Sequence, residues 1–151
     1  LVLSGRPGGA TQAVLSAVSG CGLDGAIKLL GPIPDQELPA LYNAAEAFAF
    51  PSLYEGFGLP PIEAMACGTP ALVSDAASVP EIVGNGALVV NAESTSDLAV
   101  GLFRLMSDAS LRQCLSAKGL EWTKRYSWRS SAQRLLGLLD RISIGQEGVF
   151  A

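Results

Sequence analysis

The sequence predicts an α/β fold: a Rossmann-like, mostly parallel sheet with helices on both faces and extra helices at the C-terminal end. Three observations lead there. Short runs recur that are apolar throughout rather than alternating, the pattern of strands buried on both faces. Between them lie segments long enough for one to three helical turns, and strand–helix–strand repetition implies right-handed βαβ units. After Val90 the apolar runs stop and only helical patterns follow.

Taken in order, Leu1–Leu3 has the composition of a strand interior, so the chain is expected to be a fragment that begins inside a domain and lacks that domain's first strand. Gly9–Val18 reads as a helix, Ala26–Leu30 as the next strand, and Asp35–Ala45 as the helix after the Gly31-Pro32 turn. Ala47–Phe50, Pro70–Ser74 and Ala87–Val90 are the remaining strands, with Pro60–Ala66 and Val79–Val83 as the helices between them. Ser96–Ser107, Ser110–Arg125 and Ser127–Ile142 read as three closing helices, with Ser at the N-cap positions because its hydroxyl can accept from an orphan first-turn N–H. No linker or repeat divides the chain, so 1–144 is expected to be one domain and Gly145–Ala151 a frayed tail.

Composition narrows the function classes. Net charge is −4 and no Lys/Arg cluster stands out, so a polyanion such as nucleic acid would meet no cationic field. Charged residues make up 16% of the chain, against roughly 25% in an ordinary soluble domain, while apolar residues reach 49%. That balance suggests a core with part of its covering absent, and self-association of the fragment is expected from it. Cys21, Cys67 and Cys114 are far apart and the chain has no His, so no zinc site is expected. The thiols read as free and buried, in a reducing compartment. No apolar stretch has the length of a membrane span, and no charged segment leads into an apolar one as in a signal peptide. A cytoplasmic placement is expected.

The chemistry concentrates in one segment. Phe50-Pro51-Ser52-Leu53-Tyr54-Glu55-Gly56-Phe57-Gly58-Leu59-Pro60 runs from the end of a strand through a Gly-rich loop into a helix. In doubly wound sheets ligands bind outside the carboxyl ends of strands, where such a loop must lie. Pro60 and Pro61 suit a first helical turn, and Gly68 suits the C′ position that ends it. A helix N-terminus offers N–H groups and partial positive charge to a phosphate. With the prolines removing two donors, Gly56, Phe57, Gly58 and Leu59 are the amides left to face an anion. Two carboxylates flank this loop. They suit sugar hydroxyls, which an ionised carboxylate accepts strongly: Glu63, expected in the first helical turn, a ribose diol, and Glu55 a hydroxyl of a transferred sugar. The competing reading is that Glu63 complements the helix dipole and Glu55 is a solvated turn residue.

The surrounding residues weigh on that choice. Glu55 and Glu63 with Gly56-Phe57-Gly58-Leu59-Pro60 between them, continuing as Ala64-Met65-Ala66-Cys67-Gly68-Thr69-Pro70, strongly resemble the E-x7-E signature of the retaining GT-B glycosyltransferases called group 1 or family 4. The likeness extends upstream to Leu30-Gly31-Pro32-Ile33-Pro34-Asp35 and downstream to Val79-Pro80-Glu81-Ile82-Val83-Gly84 and Tyr126-Ser127-Trp128. The resemblance implies a C-terminal GT-B domain that holds a UDP- or GDP-linked sugar, with no metal and no further cofactor. The partner it implies is the N-terminal GT-B domain, which would supply most of the acceptor site and any membrane association. It implies that Glu63 binds the ribose, the Gly56–Pro60 loop the sugar and diphosphate, and Ile33 or its neighbours the base. Glu55 is the nearest to a catalytic residue. The family's Arg/Lys pair that neutralises the diphosphate has no counterpart segment here; Arg6 follows the first strand, where a phosphate-side role stands level with a base-proximal or a solvated one.

Rival readings have less behind them. No G-x-G-x-x-G follows the first strand, so dinucleotide binding lacks its fingerprint. Lys28, Lys118 and Lys124 are not placed for the pyridoxal-phosphate lysine of related phosphorylases. An isolated non-catalytic nucleotide-binding or interaction module is the alternative.

Overall fold

The computed structural model describes residues 1–146. They divide into two compact units, one of Leu1–Leu41 and one from Tyr42 onward. The elements alternate as the sequence implies, with boundaries shifted by a few residues.

The first unit carries β1 (Val2–Ser4), α1 (Thr11–Gly20) and β2 (Lys28–Gly31), with β1 parallel to β2 in a two-stranded sheet. Helix α2 (Leu38–Ala44) runs across the unit boundary. The second unit holds β3 (Phe48–Phe50), α3 (Leu59–Ala66), β4 (Ala71–Ser74), α4 (Val79–Val83) and β5 (Ala87–Val90). Its sheet has the order β3-β4-β5, all parallel, with Phe48 opposite Ala71 and Ala71 opposite Ala87. Every strand pair described is therefore parallel, as the apolar runs predict. The helices α5 (Thr95–Ser107), α6 (Ala109–Thr123) and α7 (Trp128–Gln146) complete the described chain. Residues 145 and 146 lie at the end of α7, and the rest of the expected tail lies outside the described residues.

Helices cover both faces of the second sheet. Successive side chains of a strand point to opposite faces, so Ala71 and Val73 pack with Met65 of α3 and Val79 and Val83 of α4. Leu72 packs on the other side against Leu105 of α5 and Leu115 of α6. Here the expectation of strands buried on both faces needs correcting. Only β4 is buried at every position; β5 is partly covered, and β1 and β2 are exposed or half-buried throughout. The apolar run marks a strand but does not say what covers it, since β4 alone has a strand on each side and helices on each face.

Two smaller expectations also change. The N-caps of α5 and α6 are Ser94 and Asp108, whose side chains accept from the amides of Asp97 and Leu111. The expected Ser96 and Ser110 each stand two residues further on. The stretch 93–97 offers several capping side chains, and Ser94, with extended backbone at φ −102°, ψ 102°, takes the role. Ser127, by contrast, does accept from the Ser130 amide ahead of α7. The cysteines are free, but Cys21 and Cys114 are exposed and Cys67 half-buried. Trp122 packs against the core cluster, whereas Trp128 is 88% exposed.

Candidate functional site

The loop between β3 and α3 lies at the carboxyl end of its strand, as the sequence predicts. Helix α3 begins at Leu59, with Pro60 and Pro61 inside its first turn and Gly58 as N-cap in the left-handed region at φ 87°. Glycine takes that conformation without the clash a Cβ brings. At the other end Gly68, φ 79°, is the C′ residue of a Schellman motif: its amide bonds the Met65 carbonyl and the Thr69 amide the Ala64 carbonyl. The short helix is thus fixed at both ends.

Because α3 starts at Leu59, Glu63 stands in the second turn and not the first. The helix dipole acts within about one turn, so the dipole-complementing reading of Glu63 loses its main support. Its carboxylate is exposed, and Oε2 accepts a hydrogen bond of 3.1 Å from the Tyr42 hydroxyl. Tyr42 is buried, and its ring meets Phe48 edge-on at 5.4 Å. Burial first, and then the Glu63 charge, push the phenol's pKa up. It stays protonated and donating. Cys67, one turn on from Glu63, is also raised, first by partial burial and then by the same charge.

Glu55 is half-buried, and its Oε1 accepts from the Ser52 hydroxyl at 2.9 Å. Each carboxylate thus has one hydroxyl partner from the chain and further lone pairs to offer. The backbone of Glu55 is tied as well: Ser78, N-cap residue of α4, donates to its carbonyl at 3.1 Å. Phe57 meets Tyr126 edge-on at 6.0 Å. No acceptor within the described residues faces the amides of Gly56, Phe57, Gly58 or Leu59.

The second unit therefore holds Glu55, the Gly56–Pro60 loop and Glu63 together. Arg6, exposed after β1, and Ile33, half-buried after β2, belong to the first unit. Tyr42, Ser52 and Ser78 were not singled out from sequence. Ser52 had a signal, since a hydroxyl three residues before a carboxylate in a turn often bonds it. Tyr42 and Ser78 reach their partners over 21 and 23 residues and left none. Among the described residues no three His, Cys, Asp or Glu side chains gather as a metal site, and no helix is long and apolar enough to cross a membrane.

Comparison with known proteins converges on one family. The model of the glycosyl transferases group 1 matches residues 1–122. O-antigen chain mannosyltransferase B of Escherichia coli is 39% identical over 130 residues, which are 86% of this chain and 34% of that protein. Among solved structures, sucrose-phosphate synthase of Thermosynechococcus elongatus superposes with TM-score 0.85 at 27% identity, over 96% of this chain and 39% of the other. HepE of Anabaena, solved in complex with UDP, gives TM-score 0.83 at 22% identity, over 93% and 40%. The chain spans between 12% and 34% of the length of the curated relatives it matches.

Proposed function

The chain belongs to the glycosyl transferases of group 1, and from that premise we propose that it is the donor-binding part of a retaining, metal-independent glycosyltransferase that uses a UDP- or GDP-linked sugar. The observation that carries the reading is the run of four amides from Gly56 to Leu59, without an acceptor in the described chain, at the carboxyl end of β3 and the start of α3. Such a group of N–H donors fits a diphosphate. The mannosyltransferase among the relatives and the UDP bound to HepE are consistent with it.

In this reading Glu63 accepts from the ribose hydroxyls with the oxygen that Tyr42 leaves free, and Ile33 meets the base through its backbone. Glu55, steadied by Ser52, accepts from the transferred sugar. As the glycosidic bond breaks, negative charge grows on the leaving diphosphate. Fixed donors aimed at that charge are the main catalytic contribution. Neither Glu serves as a metal ligand, so a chelator leaves donor binding unchanged. A second domain supplies the acceptor site and completes turnover.

The test separates the two carboxylates. Binding of UDP and GDP is measured by calorimetry for the unaltered protein, Glu63→Gln and Glu55→Gln. A Gln keeps the shape but weakens charge-assisted bonds, so Glu63→Gln is expected to cost about 1–3 kcal/mol of nucleoside diphosphate affinity. Glu55→Gln should leave that affinity nearly unchanged and, in the protein that also carries the second domain, lower turnover of the sugar donor instead. Wild-type affinity for the nucleoside diphosphate in Glu63→Gln would overturn the ribose assignment.

A further inference from the structure

The loop that carries the four amides is itself held in place from the next βα turn. Between β4 and α4, Ala77 adopts φ 51°, the one positive φ of a non-glycine residue among those described. A Cβ in that region costs energy, and such strain persists only where the surroundings over-determine it. The residue it delivers is Ser78. The Ser78 hydroxyl lies 3.1 Å from the Glu55 carbonyl and 3.5 Å from that of Phe57, so its single proton bonds the nearer while the farther lies at the edge of range.

Peptide geometry turns this contact into an orientation. In a planar trans peptide the carbonyl of one residue and the N–H of the next point in opposite directions, and the described chain has no cis bond. If the carbonyls of Glu55 and Phe57 both face Ser78, the amides of Gly56 and Gly58 both face away from it, on one side of the loop. Phe57, between them, is braced by Tyr126, whose hydroxyl donates to the Ile82 carbonyl at 2.9 Å. A Cβ added at buried Gly58 would meet Val79, the residue after Ser78, at 3.8 Å. The loop has a back, formed by α4 and Tyr126, and a front where two glycine amides emerge.

We propose that Ser78 is the positioning residue of the diphosphate site: its bond to the Glu55 carbonyl, with the Phe57 carbonyl turned to the same hydroxyl, aims the Gly56 and Gly58 amides at the phosphates. It touches no ligand itself, and the proposal rests on the donor-binding reading above. Its reach is limited to the phosphates, so it should be silent toward the nucleoside.

Affinities for UDP, GDP, uridine and guanosine are compared in the unaltered protein, Ser78→Ala and Ser78→Thr, and the Gly56 and Gly58 amide resonances are recorded without ligand. Ser78→Ala is expected to weaken the diphosphate about three- to tenfold, the worth of one hydrogen bond, to shift both amide resonances, and to leave nucleoside affinity unchanged. Ser78→Thr restores the hydroxyl and should restore both readouts. Equal weakening of diphosphate and nucleoside, or unmoved Gly56 and Gly58 resonances, would overturn the assignment as a merely structural role. Unaltered protein that binds neither diphosphate sinks the donor reading, whereas normal binding by Ser78→Ala beside weakened Glu63→Gln sinks the Ser78 assignment alone.

Discussion

At the scale of single residues, Tyr42 decides how Glu63 is presented. Its hydroxyl donates to the carboxylate and its backbone carbonyl accepts from Thr69 Oγ1 at 2.8 Å, so α2's end and the turn after α3 are joined through one residue. Tyr42→Phe keeps the ring against Phe48 and removes only the bond. Because Glu63 is exposed, water replaces the lost donor, and the loss at neutral pH should be near the low end of the ~0.5–1.5 kcal/mol typical of a hydrogen bond. The pH dependence is more telling. The folded phenol titrates above its ordinary value of 10.0, so the folded state binds the proton more tightly than the unfolded one. That contribution is complete below pH 10 and is lost as the pH rises further. Urea unfolding followed from pH 7 to 11 should therefore show a shallower alkaline loss in Tyr42→Phe than in the unaltered protein; equal slopes would contradict the linkage. Ala77 offers the opposite case. Ala77→Gly relieves a left-handed alanine, worth about 1–2 kcal/mol, but frees the unfolded chain by roughly 0.5–1 kcal/mol. A slight stabilisation at thermal melting is the expected result, and a clear loss would mean that the strain is absent.

At the scale of elements, α4 shows how far-apart segments fix a short helix. It has five residues, too few to persist on their own propensity. Its Ile82 carbonyl accepts from the Trp122 indole at 2.8 Å and from the Tyr126 hydroxyl at 2.9 Å. Gly84 ends it at φ 52°, ψ −124°, and a Cβ there would stand 2.0 Å from the Trp122 ring. Gly84→Ala must then both strain the backbone and displace the ring, which together should cost about 2–4 kcal/mol in denaturant unfolding. A cost under about 1 kcal/mol, within the range of ordinary surface substitutions, would mean that Trp122 is loosely seated. The same element shows what the sequence could and could not tell. Apolar runs located all five strands of the described residues, and Pro60 with Gly68 marked the ends of α3, because those signals are local. The Trp122 and Tyr126 bonds to Ile82 span 40 and 44 residues and follow no period, so no local signal pointed to them. Glu63 fell in the second turn because Gly58's left-handed N-cap starts the helix one residue before Pro60, a backbone choice that a Gly-rich string leaves open.

At the scale of the whole molecule, burial is unevenly shared. The second unit encloses Met65, Leu72, Val73, Val79, Val83 and Leu105 almost completely, whereas none of Leu1–Leu41 is buried. Two parallel strands and a helix without an enclosed side chain cannot offset the entropy of ordering them. Amide exchange should therefore be slow in β4 and its neighbours and fast throughout β1, α1 and β2. The exposed apolar side chains have a second consequence. On α7, Leu135, Leu139 and Ile142 recur at helical spacing and each is more than half exposed. Uncovered apolar stripes of this kind drive association, and a net charge of −4 opposes it only weakly. The chain by itself should self-associate, with a sedimentation-average mass that rises across micromolar concentrations. Leu135→Glu with Leu139→Glu, which puts charge on the stripe without touching the buried core, should lower that mass toward the monomer. A constant monomer mass in the unaltered chain would show that these surfaces are not adhesive. An unchanged mass in the doubly charged variant would instead locate the adhesive surface away from α7, with the exposed Leu29 and Leu30 of β2 as the next to test.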